Sequence, residues 1–441
     1  MKLRKVISVL IMILALASLF ACTSDENTRK PTPSGQSLTK PPKTQNPQTQ
    51  DPQSQDPQSQ NRPPIRKPEY VPPRVEEQNE DTQPEEEPVD PVTQRVAEIV
   101  ESMTLHEKIC QMLIVQPDAI TGVTGTTVAG EVTKAALEKY PVGGFIHFAP
   151  NIVSGGQISL FNSTSQEYST IPLLIAVDEE GGRVARLRSQ LGAHSVRAML
   201  TYSDDGEETA FNNAIILSDA LKTYGFNTNF APVADVWSNP ANTVIGNRAY
   251  SKDFDTAALL VAAAVRGFAE GGIACALKHF PGHGDTREDS HHSAAFVNKT
   301  LEELRENELK PFRAGIEAGA DMVMTGHIIV PEASDLPATL SKTLLTDILR
   351  NELGFEGVII TDSLLMNAIS RHFDSQFIAV TAIGAGVDII LMPGNPDETI
   401  TALTDAVKNG DISESRIDES VSRIIRLKIS IGLIDIDGAK Y

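Results

Sequence analysis

The sequence predicts an α/β protein whose folded part is a single (β/α)8 barrel, and three observations support this fold class. Beyond residue 90, short apolar runs alternate with segments of helical periodicity. Most of the runs are rich in Val, Ile and Leu without polar alternation, which is typical of parallel strands buried on both faces. Residues 91–441 contain eight of them, the number that an eightfold barrel with insertions requires. An open, doubly wound sheet is the alternative.

The predicted elements follow one another regularly along the chain. Before the first strand, Thr104 and Glu107 have the spacing of a capping box at the start of a helix. Ser341 caps a later predicted helix, which ends at Gly354 and leads directly into a strand. The eight predicted strands are residues 112–115, 143–148, 173–177, 227–236, 274–278, 322–325, 358–361 and 389–392.

The N-terminal part of the chain predicts an export signal and a linker. Residues 1–22 place three basic side chains before an apolar run, the layout of a secretory signal peptide. The run ends in a sequence that resembles the lipobox of bacterial lipoproteins, which implies lipidation of Cys22; an ordinary cleaved signal is the alternative. Residues 23–90 hold 14 of the 27 prolines and predict a disordered, acidic Pro/Gln-rich linker. We therefore expect an exported protein, lipid-anchored to the outer face of a bacterial cell membrane.

Composition excludes several classes of partner and site. The chain carries 58 Asp and Glu against 38 Lys and Arg, a formal net charge of −20. Such a surface repels phosphate backbones, so no nucleic-acid partner is expected. The three cysteines cannot form a disulfide framework, although a disulfide between Cys110 and Cys275 remains open. No apolar pattern in the folded part argues for assembly, and a monomer is expected.

Ionisable side chains stand at or just after the ends of four of the predicted strands. They are Asp178, Lys278, His327 and Asp362. In a (β/α)8 barrel the active site lies at the carboxyl ends of the strands, so these side chains predict a site on that face. Asp362 alone could be only a helix N-cap, a common role for Asp. Beside other chemistry on the same face, it is better interpreted as a carboxylate nucleophile.

The histidine-rich segment after the fifth strand predicts acid/base chemistry. His279 and His283 have the four-residue spacing of zinc-binding helices, but Pro281 between them prevents a regular helix. No metal or other cofactor is therefore expected. Asp289 stands two residues before His291, and an adjacent carboxylate fixes the tautomer of an imidazole and raises its basicity. A solvated polar loop is the alternative.

Two other loops carry groups suited to binding a polar substrate. Asp178 opens a segment in which Gly181 and Gly182 permit a tight turn before Arg186. Arg248 ends the loop after the fourth strand. The carboxylate could accept hydrogen bonds from substrate hydroxyl groups and the guanidinium groups could donate them, whereas a surface turn with an ion pair is the alternative.

Together these segments resemble family 3 glycoside hydrolases, specifically their bacterial β-N-acetylglucosaminidase branch. The matching stretches occur in the family's order and are residues 178–186, 239–248, 278–284, 289–291 and 361–366. The resemblance implies retaining exo-hydrolysis of terminal, non-reducing β-linked N-acetylglucosamine through a covalent glycosyl-Asp intermediate, without a cofactor. Peptidoglycan fragments and chitooligosaccharides both end in this sugar, and the sequence does not choose between them.

The resemblance also implies a role for each matching residue. Asp362 would be the nucleophile, His291 the general acid/base and Asp289 its partner. The sequence departs from the family directly after the Asp-Ser-His motif of residues 289–291. The family commonly continues there with a Leu-Pro pair, whereas this chain continues with His292. The residues that would hold the sugar are Asp178, Arg186, Arg248, Lys278 and His279.

Three alternatives to this function remain open. A β-glucosidase of the same family would share the lysine–histidine pair and the nucleophile. A β-N-acetylglucosaminide phosphorylase is also open, because a neutral imidazole base does not repel phosphate as a carboxylate would. A non-catalytic sugar-binding lipoprotein is the alternative from another class.

Overall fold

The computed structural model contains an eight-stranded parallel β-barrel and describes residues 90–287 and 295–437. All eight predicted strands are found, although most are shorter than predicted. The predicted signal peptide, and the predicted linker up to residue 89, lie outside the described residues. The barrel strands β1 to β8 are Leu113–Val115, Gly144–Ile146, Leu174–Val177, Thr228–Asn229, Ala274–Phe280, Met322–Thr325, Val358–Thr361 and Ile390–Leu391.

Hydrogen bonding joins the strands in the order β7-β6-β5-β4-β3-β2-β1-β8, and every neighbouring pair is parallel. The first strand pairs with the last, where Leu113 lies opposite Ile390. A further parallel bridge between Ile360 and Ile389 connects β7 to the start of β8. The sheet thus closes on itself, which excludes the open, doubly wound alternative.

Helices surround the barrel on its outside. The π-helix Thr343–Glu352 follows β6, and the predicted cap Ser341 accepts the Leu344 N–H there at 3.3 Å. No helix in the described ranges is long and apolar enough to cross a membrane. The α-helices α1 to α14 are Pro91–Ser102, Leu105–Gln111, Pro117–Thr121, Glu131–Lys139, Gly155–Tyr168, Arg186–Leu191, Glu207–Thr223, Phe254–Glu270, Leu301–Glu306, Leu309–Glu317, Asn367–Ser370, Ser375–Ala385, Pro396–Asn409 and Glu414–Ser430.

Local sequence signals determine where the helices begin. Helix α2 starts with the predicted capping box, in which the Thr104 hydroxyl accepts the Glu107 N–H while the Glu107 carboxylate accepts the Thr104 N–H at 2.8 Å. Helix α1 buries Val96, Ile99 and Val100, the spacing expected of one helix face. The apolar core therefore lies between the barrel and the helices as well as inside the barrel.

Strand β4 is much shorter than the predicted run 227–236. Pro232 lies inside that run and has no N–H to donate, so the regular ladder is interrupted there, although Pro232 O still accepts the Lys278 N–H and the Ala234 N–H donates to Lys278 O. A single parallel bridge between Val233 and Lys278 follows. The end of the run, including the buried Asp235, is therefore free of strand pairing and reaches the carboxyl end of the barrel.

The two described cysteines do not form a disulfide. Cys110 and Cys275 are both free and buried. Burial, together with nearby carboxylates, raises the pKa of Cys110 to about 12, so this thiol stays protonated and unreactive at neutral pH. The disulfide left open by the sequence is absent, and both cysteines act as small apolar core residues.

Candidate active site

The centre of the candidate site is a buried cation at the end of β5. Lys278 is 2% exposed, and its Nζ lies 2.7 Å from Asp178 Oδ1 and 2.7 Å from Glu180 Oε1. Burial opposes the charge of this lysine, but the two carboxylates raise its pKa above the ordinary value. Lys278 is thus a permanent ammonium group held between two side chains of the segment that follows β3.

Glu180 connects that lysine to the loop after β4. Its carboxylate is fully buried and accepts two hydrogen bonds from Arg248, from Nε and from Nη2, each at 2.8 Å. Although burial raises the pKa of Glu180, the charges of Arg248 and Lys278 hold it well below its ordinary value. Three predicted residues, Asp178, Lys278 and Arg248, are therefore brought together around a fourth to which the sequence interpretation assigns no role.

A glycine turn gives the segment after β3 its path. Gly181 and Gly182 both have positive φ, and a Cβ on Gly182 would lie 2.7 Å from the backbone of Ala198. The turn leads to Arg186, the first residue of α6. The Cζ of Arg186 lies 5.9 Å from the centroid of the Phe148 ring. Arg186 Nε is buried and has no hydrogen-bond partner among the described residues. A buried donor without a partner suits a site that binds a polar ligand.

Asp362 follows β7 and is half-buried on the same face of the barrel. Its Oδ1 accepts the Ser363 N–H at 2.7 Å, and its own backbone N–H donates to Thr325 O. Burial raises the pKa of Asp362. This effect is outweighed by four groups that lower the pKa, namely His279, His327, the Ser363 N–H and Lys278, and the net pKa is below the ordinary value. The carboxylate is therefore ionised at neutral pH.

The alternative role of Asp362 as a helix N-cap does not occur. The next helix, α11, begins at Asn367, and Met366 occupies its N-cap position without a side-chain hydrogen bond. The turn after Asp362 is held instead by His327, whose Nε2 lies 2.9 Å from Ser363 O. The nucleophile candidate thus projects from a turn that is fastened to the end of β6.

His279 lies beside Lys278 because the strand is irregular at this point. The register between β5 and β6 shifts between Lys278 and Phe280, and such a bulge re-aims a side chain that would otherwise face the opposite side of the sheet. The imidazole Nδ1 lies 2.7 Å from Asp235 Oδ2, at the end of the predicted fourth run. Consecutive residues of one strand can therefore both serve one site.

The loop that begins at His279 is described up to residue 287. The His283 N–H donates to Asp235 Oδ1, and Asn242 Nδ2 donates to His283 O at 2.7 Å. Thr286 Oγ1 lies 2.8 Å from His283 Nδ1. Asp289 and His291, the predicted acid/base pair, lie outside the described residues.

Sequence reasoning misses the roles of three residues that hold this site together: Glu180, Asp235 and His327. In the sequence, Glu180 is distinguished only as part of an acidic strand end, and His327 only as the polar end of a strand. Asp235 has a recognisable signal as a carboxylate inside an apolar run, because a buried charge requires a partner. Within the described ranges no group of three His, Cys, Asp or Glu side chains is arranged to hold a metal ion.

Sequence comparison identifies the family. The profile described as "Glycosyl hydrolase family 3 N terminal domain" matches residues 104–427, which includes all eight barrel strands. The chain belongs to glycosyl hydrolase family 3. The family resemblance predicted from the motifs is thereby confirmed, and the family 3 match covers every described residue of the candidate site.

Two curated relatives and one solved structure show what this chain is similar to. It is 35% identical to "Beta-hexosaminidase A" of Pseudoalteromonas piscicida, over 69% of this chain and 56% of that protein. It is 36% identical to "Beta-hexosaminidase" of Stenotrophomonas maltophilia, over 64% of this chain and 86% of that protein. The structure of a family 3 β-N-acetylglucosaminidase from a Paenibacillus species superposes with a TM-score of 0.71 at 37% identity, covering 77% of this chain and 64% of that one. This chain thus spans only a little over half the length of the first of these relatives.

Proposed function

We propose that this family 3 protein is an exo-acting β-N-acetylhexosaminidase that releases terminal, non-reducing β-linked N-acetylglucosamine with retention of configuration. The names of its relatives support this substrate class. The observation that carries the proposal is the ionised carboxylate of Asp362, held on the same barrel face as the buried cluster of Lys278, Glu180 and Arg248. A carboxylate nucleophile facing fixed polar groups is what retaining glycoside hydrolysis needs.

The groups around Lys278 are proposed to hold the terminal sugar. The Asp178 carboxylate is 19% exposed and can accept hydrogen bonds from hydroxyl groups, while Arg248 and Lys278 keep Glu180 charged. The unpartnered Nε of Arg186, at the end of the same segment, supplies a donor. Rigid polar groups of this kind fix the orientation of the substrate before reaction.

The proposed chemistry has two steps. In the first, His291 donates a proton to the glycosidic oxygen while an oxygen of Asp362 attacks the anomeric carbon, so that the bond to the leaving group breaks and a glycosyl ester forms. In the second, His291 accepts a proton from water, whose oxygen attacks the same carbon and releases Asp362. Asp289 is proposed to stabilise His291 in its protonated form. Both configurational inversions together retain the β-anomer.

The test compares release of nitrophenol from the nitrophenyl β-N-acetylglucosaminide and the β-glucoside. We expect turnover of the first substrate only, and Asp362→Asn should lower kcat/KM by roughly three orders of magnitude or more, because it removes the nucleophile. Asp374→Asn is the matched control: this carboxylate follows the same strand but only caps α12, a role that Asn also fills.

The outcomes separate the alternatives. If Asp362→Asn retains its rate, or if neither substrate is cleaved, the hexosaminidase proposal is wrong and the sugar-binding protein replaces it. Cleavage of the glucoside alone would indicate a β-glucosidase. Each reaction is repeated with inorganic phosphate, and a sugar phosphate in place of the free sugar would indicate a phosphorylase.

We also propose where the protein works. The proposed lipid on Cys22 and the proline-rich residues 23–90 would hold the barrel outside the cell at the membrane surface. Oligosaccharides derived from peptidoglycan or chitin, both of which end in N-acetylglucosamine, would meet it there. The net charge of −20 is compatible with such uncharged sugars and disfavours polyanionic substrates.

A further inference from the structure

We infer that Asp235 is a positioning residue of this site: it holds His279 in one orientation and one tautomer on the barrel face that carries Asp362, and it fixes the start of the loop that follows β5. The inference rests on the proposed function, because it names how a residue outside the substrate's reach controls that same site. Asp235 is 1% exposed and belongs to none of the segments that matched the family motifs.

Both oxygens of the Asp235 carboxylate are used, and each has a different task. Oδ2 lies 2.7 Å from Nδ1 of His279. Oδ1 accepts the backbone N–H groups of His279, at 3.1 Å, and of His283, at 2.6 Å. One buried side chain thus orients an imidazole ring and clamps both ends of the turn between the two histidines.

The contact with Nδ1 determines the chemistry of the ring. An ionised carboxylate can only accept, so Nδ1 of His279 carries a proton, and Nε2 is the nitrogen that faces away from Asp235. Burial raises the pKa of Asp235, but the charges of His279 and His283 bring it below the ordinary value. The ionised carboxylate thus fixes one tautomer of His279, as in other Asp–His pairs of hydrolases.

His279 transmits this effect to the nucleophile candidate. A Cβ built on Gly326 would lie 3.3 Å from His279 Cβ, which places His279 against the end of β6, directly before His327. The side chains whose electrostatic effect lowers the pKa of Asp362 are His279, His327 and Lys278, and His279 has the largest effect of the three. The groups that face Asp235 are His279 and His283, and Arg248 also interacts with it electrostatically.

The experiment uses Asp235→Asn in the full chain. The amide Oδ1 can still accept the two backbone N–H groups, but Nδ2 is a donor, so His279 presents Nδ1 as an acceptor and carries its proton on Nε2 instead. The pKa of Asp362 then rises, and the acidic limb of the kcat/KM profile against pH moves to higher pH. We expect kcat to fall by roughly 10- to 100-fold, with a smaller change in KM.

Two controls distinguish positioning from a general effect on folding. Asp321→Asn changes a half-buried carboxylate that also accepts a backbone N–H, that of Cys275 at 2.9 Å, at the amino end of the barrel. It should leave the acidic limb unchanged even where it lowers the thermal midpoint. In a His279→Ala background, Asp235→Asn should cost little further activity, because its route to Asp362 is already absent.

The inference is overturned if Asp235→Asn leaves the acidic limb at its wild-type position. It is also overturned if Asp235→Asn lowers kcat by the same factor in the His279→Ala background as in the wild type. Failure of the proposed function gives a different result. In that case the wild-type protein releases no N-acetylglucosamine, or Asp362→Asn keeps its rate, whatever Asp235 does. An active wild type that depends on Asp362 but shows no shift in Asp235→Asn contradicts this inference alone.

Discussion

At the residue scale, Lys428 is a buried lysine whose charge lowers the stability of the folded protein. It is fully buried on α14, and its Nζ donates to Gln111 Oε1 at 2.7 Å, a neutral partner. Burial lowers its pKa from 10.5 to about 7. The last long helix is thus joined to the end of α2 by a hydrogen bond, at the expense of an uncompensated ammonium group.

We predict that Lys428→Met stabilises the protein, by about 1–4 kcal/mol at pH 7. Between pH 10 and pH 7 the unfolded chain binds a proton that the folded chain does not, so the stability of the wild type falls as the pH decreases across this interval. The advantage of the variant therefore grows as the pH decreases and levels off below pH 7. Urea denaturation of both proteins at pH 9 and pH 7 measures the difference in their free energies of unfolding.

Lys108→Met is the control for this prediction. Lys108 is also buried, but its Nζ lies 2.6 Å from Asp418 Oδ1, and the carboxylates of Asp418 and Glu414 raise its pKa despite burial. Its removal should destabilise the protein at both pH values. Equal effects of the two substitutions would show that the partner of the buried lysine does not matter.

Single residues also mark the limit of what the sequence predicts. Asp178, Lys278, Arg248 and Asp362 are recognisable because each lies next to a strand end or in a family motif. Asp235 is not, since its role depends on which side chains the barrel brings within hydrogen-bond distance. A carboxylate inside an apolar run indicates a buried partner but does not identify it.

At the scale of elements, the strands are predictable and their lengths are not. Apolar runs reveal all eight strands, because a parallel strand buried on both faces needs apolar side chains throughout. The run 227–236 contains Pro232, however, and only its first residues pair as β4. Beyond its last hydrogen bond to β5, from the Ala234 N–H to Lys278 O, the run carries Asp235 to His279.

The glycine turn between β3 and α6 yields a prediction at the same scale. Gly182→Ala should lower both stability and kcat/KM, the latter by roughly tenfold or more, because the turn positions Glu180 and Arg186. Its new Cβ would lie 2.7 Å from the Ala198 backbone. Thermal unfolding and the nitrophenyl assay measure the two effects.

Gly192→Ala provides the comparison for Gly182→Ala. Gly192 has a similar positive φ, +65°, but no heavy atom lies within 4 Å of the position that a Cβ would take there. The substitution should cost only the backbone strain of about 1–2 kcal/mol and leave kcat/KM unchanged. If both substitutions behave alike, the close packing of the turn is not what positions the site.

At the scale of the whole molecule, the proposed lipid anchor on Cys22 determines where the protein is found in the cell. We predict that Cys22→Ser moves the protein from the membrane fraction to the soluble exported fraction, because it removes the proposed lipid and leaves only the acidic barrel to contact the membrane. Fractionation followed by immunodetection measures this, with Cys110→Ser as the control for loss of a thiol. Soluble wild-type protein would contradict the lipid anchor.

The closed ring of strands has a consequence for how the chain acquires its structure. One edge of β1 pairs with β2 and the other pairs with β8. The edge that pairs with β8 has no partner until nearly the entire barrel has been synthesised. Closure is therefore a late event between segments far apart in sequence, and such pairings form slowly. Until then an apolar strand edge is accessible to other nascent chains, so protection during biosynthesis should matter more for this protein's yield than its final stability does.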